Sequence, residues 1–102
     1  MRVLDSSKRI RKRQTVLLIA NMLVEDGDEL PLSTIKFMAK VYPVFLEVEW
    51  ASATTLANAY GSSVSAALKH IRVLTSYRYL TRVHHRAWAL NTARIEQLDR
   101  SS

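Results

Sequence analysis

Cysteine is absent from this 102-residue chain, glycine and proline occur only twice each, and acidic residues are outnumbered fifteen to nine by lysine and arginine. Each shortage excludes something. Without cysteine there is no disulfide framework and no thiolate-held metal, and the redox compartment stays open. Gly27, Gly61, Pro31 and Pro43 are too few for a linker, a repeat array or a low-complexity tract. The main apolar run, VLLIANMLV at 16–24, is nine residues long and contains Asn21. A bilayer-spanning helix needs about 20 such residues, so a membrane span is excluded. Lys8 to Arg13 in front of that run give it the outline of a secretory signal. The run leads into EDGDE with no small-residue cleavage site, so a cytoplasmic protein without membrane association is expected.

What is present is ordinary for a folded protein: 48% hydrophobic and 24% charged residues, enough for one domain with a modest core. The distribution of charge is less ordinary. Residues 1–13 carry six basic side chains against Asp5, and residues 69–100 carry seven against Glu96 and Asp99. Between them, Glu25, Asp26, Asp28, Glu29, Glu47 and Glu49 face only two lysines over residues 25–49. Basic surface segregated from acidic surface favours a polyanionic partner, with nucleic acid the first candidate.

Periodicity places the elements. Lys8 to Glu25 is helical, with Ile10, Leu17, Ala20 and Val24 on one face, Val16, Ile19 and Leu23 beside it, and Gly27 as a left-handed cap. That apolar surface is wider than one domain needs, and the excess points to a dimer. A second helix starts near Pro31 to Ser33, with Leu32, Ile35, Met38, Ala39 and Tyr42 inward, and Pro43 ends it. In VFLEVEW, Val44, Leu46, Val48 and Trp50 alternate with Phe45, Glu47 and Glu49, which predicts a strand. Ser52 caps a short helix to Tyr60, Gly61 takes a positive φ, and Ser63 caps a longer helix ending near Ser76. YLTRVHH and AWALN then form two short strands around His85-Arg86, and a last helix follows Asn91.

The helix after Ser63 has two faces. Val64, Ala67, Ile71 and Leu74 recur at three- and four-residue steps and form a buried stripe. Ser65, Lys69, Arg72 and Ser76 recur on the opposite side. That outward stripe is small, polar and basic, which suits a helix lying in the DNA major groove.

From Leu56 to Arg82 the sequence resembles the winged helix-turn-helix transcription regulators, including the MarR-like and PadR-like branches. Leu56-Ala57 opens the pattern, Gly61 supplies the turn, Ser63 the cap, Ala67, Ile71 and Leu74 the inward positions, and Tyr79-Leu80 the entry to the wing. The resemblance implies an α+β winged helix-turn-helix with an additional N-terminal helix and a short two- to three-stranded sheet. Residues 1–30 would be a basic arm and helix, 31–91 the core and 92–102 a C-terminal helix. It also implies groove-facing positions for Ser65, Leu68, Lys69 and Arg72, with Arg82 to Arg86 on the wing. Three positions depart from the family pattern. Arg78 stands where glycine usually follows the recognition helix, at about 1 kcal/mol if it is left-handed. The hairpin lacks glycine and is short, and Ala67 is smaller than the usual branched residue.

Arg72 can grip guanine bidentately and Lys69 a phosphate or guanine, against the alternative of two solvated charges. Ser63 and Ser65 can bond phosphate or serve only as cap residues. Leu68 either touches a thymine methyl or packs on the hairpin. Lys8, Arg9, Arg11, Lys12 and Arg13 oppose the helix macrodipole, a local cost that phosphate contacts would offset. Arg82, His85 and Arg86 read as a phosphate-holding wing. Adjacent histidines on a strand point apart, so no metal site is expected. Trp50 and Trp88 sit in alternating apolar patterns and read as core or interface.

No catalytic spacing or phosphate loop is present, so neither an enzyme nor a cofactor is expected. The expectation is a homodimeric, sequence-specific double-stranded DNA-binding transcriptional regulator. Two alternatives stay open: a partition or chromatin-organising protein that spreads on DNA, and a winged-helix module that docks an acidic protein.

Overall fold

The computed structural model describes the backbone of residues 2–101 and the side chains of residues 12–98 and 100. Over these residues five helices and a three-stranded antiparallel sheet form an α+β arrangement. The order is α1 (Arg2–Asp26), α2 (Leu32–Phe45), β1 (Ala51–Ser52), α3 (Ala53–Tyr60), α4 (Val64–Ser76), β2 (Leu80–His84), β3 (Ala87–Leu90) and α5 (Thr92–Ser101). No helix among the described residues is long and apolar enough to cross a membrane.

Helix α1 starts well before Lys8 and turns a different side inward from the one its sequence predicts. Leu18 and Met22, one turn apart, are buried, with Ile19 packed against the core beside them. Leu17, Ala20 and Val24 are exposed instead, Val24 to 88%, and Val16 and Leu23 are exposed with them. The Ile10 side chain lies outside the described residues. Apolar residues surround the middle of α1, so periodicity supports two faces, and packing against α2 and α5 selects one. Gly27 is also used differently, since its φ is not positive. Its N–H donates to the Leu23 carbonyl at 3.0 Å, and a Cβ built there would stand 2.2 Å from that oxygen. Close approach, not a left-handed cap, requires glycine.

Helix α2 does not stop at Pro43 but runs through it to Phe45, so the strand expected over 44–50 is absent. Proline removes the bond that the Ala39 carbonyl would accept. Against that cost, continuing the helix brings Phe45 onto the same buried side as Val41 and Tyr42. Val48 and Trp50, the other half of the apparent alternation, are exposed. Leu32, expected inward, is exposed, while Ile35, Phe37 and Met38 fill the core.

The next two helices follow their local signals. Ser52 Oγ accepts from Thr55 N–H at 3.2 Å and Ser63 Oγ from Ala66 N–H at 3.1 Å, capping α3 and α4. Gly61 has φ 84°, and Ser62 N–H returns to the Ala57 carbonyl at 3.0 Å, turning α3 into α4. Helix α4 ends on Arg78 at φ 67°. Arg78 N–H reaches the Thr75 carbonyl at 3.0 Å and Tyr79 N–H the Leu74 carbonyl at 2.9 Å, the paired bonds of a Schellman cap. Leu74 and Tyr79, both fully buried, supply its apolar contact.

Strand β3 is central, with β1 and β2 antiparallel on either side. Ala51 and Arg82 flank Trp88, and Leu80 faces Leu90. A bulge at Val83 shifts the register between Arg82 and His84. The core joins Leu18 and Met22 of α1, the inner face of α2, Leu56 of α3, the inner face of α4, Leu80, Trp88 and Leu98.

Candidate nucleic-acid interface

Helix α4 is amphipathic in the way its spacing requires. Ala67, Ile71 and Leu74 are fully buried, and Ser65, Lys69, Arg72 and Ser76 are exposed. Val64, expected on the buried stripe, is 39% exposed, because the first turn projects beyond the core. It contributes to a groove instead.

That groove, about 690 Å³, is open and runs between α4, the start of α3 and the β2–β3 hairpin. Its floor and one wall are apolar: Val64 and Leu68 of α4, Ala53 of α3 and Trp88 of β3. Arg72, Arg82, His85 and Arg86 line it from two separate elements, and no acidic residue lines it. Leu68 is half-buried and belongs to the groove wall, not to the outermost face of α4.

The hairpin is held by one of its own cations. Arg82 Nε donates to the His84 carbonyl at 3.2 Å, and its Nη2 bonds the His85 carbonyl and His85 Nδ1. Guanidinium only donates, so Nδ1 accepts and the outward Nε2 carries the imidazole proton in the neutral ring. Arg82 therefore braces the two-residue turn, leaving Nη1 outside these bonds. Trp50, half exposed, meets the His84 ring edge-on at 5.7 Å on the hairpin's far end. It is not part of the core.

The sequence-derived residues thus divide. Arg72, Arg82, His85, Arg86 and Leu68 come together at the groove. Ser65 and Lys69 occupy the adjoining outer face of α4, and Ser63 has its oxygen committed to the cap. Lys12 and Arg13 are exposed on α1, which packs against α2 and α5, and neither lines the groove. The side chains of Lys8, Arg9 and Arg11 lie outside the described residues. Thr54 and Thr75 line the groove without having been singled out from the sequence, and Trp88, read there as core or interface, lines it as well. Thr75 sits one turn after Arg72, a spacing that carried the signal. Thr54 and Trp88 reach the groove only through the pairing of β1 with β3.

No protein-family model matches the chain, and no curated protein matches it significantly. The character of the groove rests on its own geometry.

Two polar clusters hold this surface from behind. His70, on the flank of α4, meets Thr34 Oγ1 through Nδ1 at 3.0 Å and stacks on Phe37 at 5.1 Å. Burial, then the neighbouring Lys69 ammonium, holds its pKa below the usual value. At the other end of α4, Tyr79 donates its hydroxyl to Asp26 at the end of α1, and Arg94 of α5 bonds the same carboxylate at 3.2 Å. The Arg94 guanidinium also lies 5.4 Å over the Tyr79 ring and 3.9 Å from Glu25. Burial, reinforced by the hydrogen bond to Asp26, pushes the Tyr79 phenol well above its ordinary range. Among the described residues no group of three His, Asp or Glu side chains is arranged to hold a metal ion.

Proposed function

We propose that the chain binds double-stranded DNA as a winged helix-turn-helix transcriptional regulator, with α4 as recognition helix and the β2–β3 hairpin as wing. One observation carries this reading: three arginines and a histidine from two elements line one open groove that has no acidic residue, beside the exposed Lys69. An α4 helix laid in the major groove presents Ser65, Lys69 and Arg72 to base edges and phosphates. The groove beside it has the charge to take the sugar-phosphate strand, with Arg72 contributed by α4 and Arg86 and His85 by the hairpin. Trp88, Val64 and Leu68 give that strand an apolar surface against which sugars pack. The role calls for no catalysis and no cofactor. Two copies would present two α4 helices to half-sites about 34 Å, one DNA turn, apart.

The test is binding to a labelled random-sequence duplex, followed over a range of salt concentrations. Lys69→Ala combined with Arg72→Ala lowers affinity on the order of a hundredfold and reduces the log–log salt slope by about two. Unchanged affinity at moderate salt removes the reading, and leaves the basic surface to an acidic protein partner.

A further inference from the structure

Helix α1 is apolar on two opposite sides, and its own fold uses only one. Leu18 and Met22 face inward, while Val16, Ala20, Leu23 and Val24 recur at steps of four, three and one on the outside, with Leu17 beside them. That spacing makes a continuous stripe of the kind helices use to pack on helices. Val16 is 61% and Leu23 48% exposed. The ends of the stripe carry opposite charge: Lys12 and Arg13, exposed, lie before it, and Glu25, Asp28 and Glu29, exposed, lie after it.

We infer that this stripe is a docking surface for a second copy of the chain, packed antiparallel across a two-fold axis at Ala20. A parallel pair would place Lys12 and Arg13 against their own copies and the acidic turn against its own copy. An antiparallel pair centred on Ala20 sets Val16 opposite Val24 and Leu17 opposite Leu23, and brings Lys12 and Arg13 to the end where α1 gives way to the acidic turn at 25–29. Charge therefore selects the direction. The small Ala20 side chain on the axis lets the two helices approach closely, and a two-fold contact closes with two chains. Acidic residues at a helix C-terminus oppose the helix's own dipole. The pairing brings that unfavourable end beside the partner copy's Lys12 and Arg13. The inference deepens the two-copy arrangement proposed above, but its test needs no DNA.

The chain's lack of cysteine supplies the experiment, since each introduced thiol is the only one present. Sedimentation equilibrium of the full chain at micromolar concentration should show a dimer. Val16→Glu combined with Leu23→Glu should raise the dissociation constant on the order of a hundredfold or more. Those side chains are exposed in the single chain, so its helical circular dichroism should stay the same. Direction is read by oxidation. Ala20→Cys should crosslink to itself, and Val16→Cys should not, because two such residues lie about 12 Å apart along the pair, beyond disulfide reach. A mixture of Val16→Cys and Val24→Cys chains should form the mixed dimer. A monomer at all micromolar concentrations overturns the inference. So does self-crosslinking of Val16→Cys as efficient as that of Ala20→Cys, which signals a parallel pair. If the dimer forms as described but Lys69→Ala with Arg72→Ala leaves DNA affinity unchanged, the DNA reading fails and this one stands.

Discussion

Arg78 is the one non-glycine residue with positive φ among those described, at 67°. An L side chain there is strained by about 1 kcal/mol, yet both backbone bonds of the cap are in place around it. Arg78→Gly should therefore raise unfolding free energy by about 0.5–1 kcal/mol in urea melts, with the gain trimmed by glycine's freedom in the unfolded chain. Tyr79, its neighbour, shows the opposite balance. Tyr79→Phe removes the hydroxyl that Asp26 accepts while leaving that carboxylate half-enclosed, which should cost about 1–3 kcal/mol in the same assay. His70 gives the fold a pH dependence of defined sign. Its folded pKa lies below the ordinary 6.5, so the unfolded chain binds the extra proton first. Its contribution is complete above pH 6.5 and is lost as pH falls from there through the folded value. Urea midpoints at about pH 7.5 and about pH 5.5 should differ less in His70→Gln than in the natural chain, once other groups are held common.

At the scale of elements, local chemistry was legible and tertiary choice was not. Ser52, Gly61 and Ser63 fix the α3–α4 turn with bonds reaching no more than five residues, so the sequence alone locates it. The inward face of α4 was equally legible, apart from Val64, because one apolar stripe faces one polar stripe. Helix α1 has apolar residues on both sides, and nothing in its own spacing says which side α2 and α5 will cover. The clamp of Asp26, Tyr79 and Arg94 joins residues 53 and 68 positions apart and leaves no local mark. Pro43 was misleading for a related reason. The rule against internal proline is local, and burial of Phe45 outweighs it. Pro43→Ala should restore the bond to the Ala39 carbonyl and stabilise the protein by about 1–3 kcal/mol, read as a higher melting midpoint. A fall in that midpoint would mean that the proline ring's own packing matters more than the missing bond.

For the whole molecule, the charge segregation visible in the sequence becomes a spatial arrangement. The basic groove lies between α4 and the hairpin, and the unpartnered stripe lies on α1, which packs on α2 and α5. Partner and polyanion would then meet different surfaces, so a second chain need not compete with a duplex. The carboxylate of Asp26 is where these surfaces connect. It closes α1, receives Arg94 from α5 and receives Tyr79 at the exit of α4. With Tyr79 held from three sides, the step from helix into β2 has no slack. Further out, the Val83 bulge breaks the β2–β3 register, and the turn beyond it is tied by Arg82 to the His84 and His85 carbonyls.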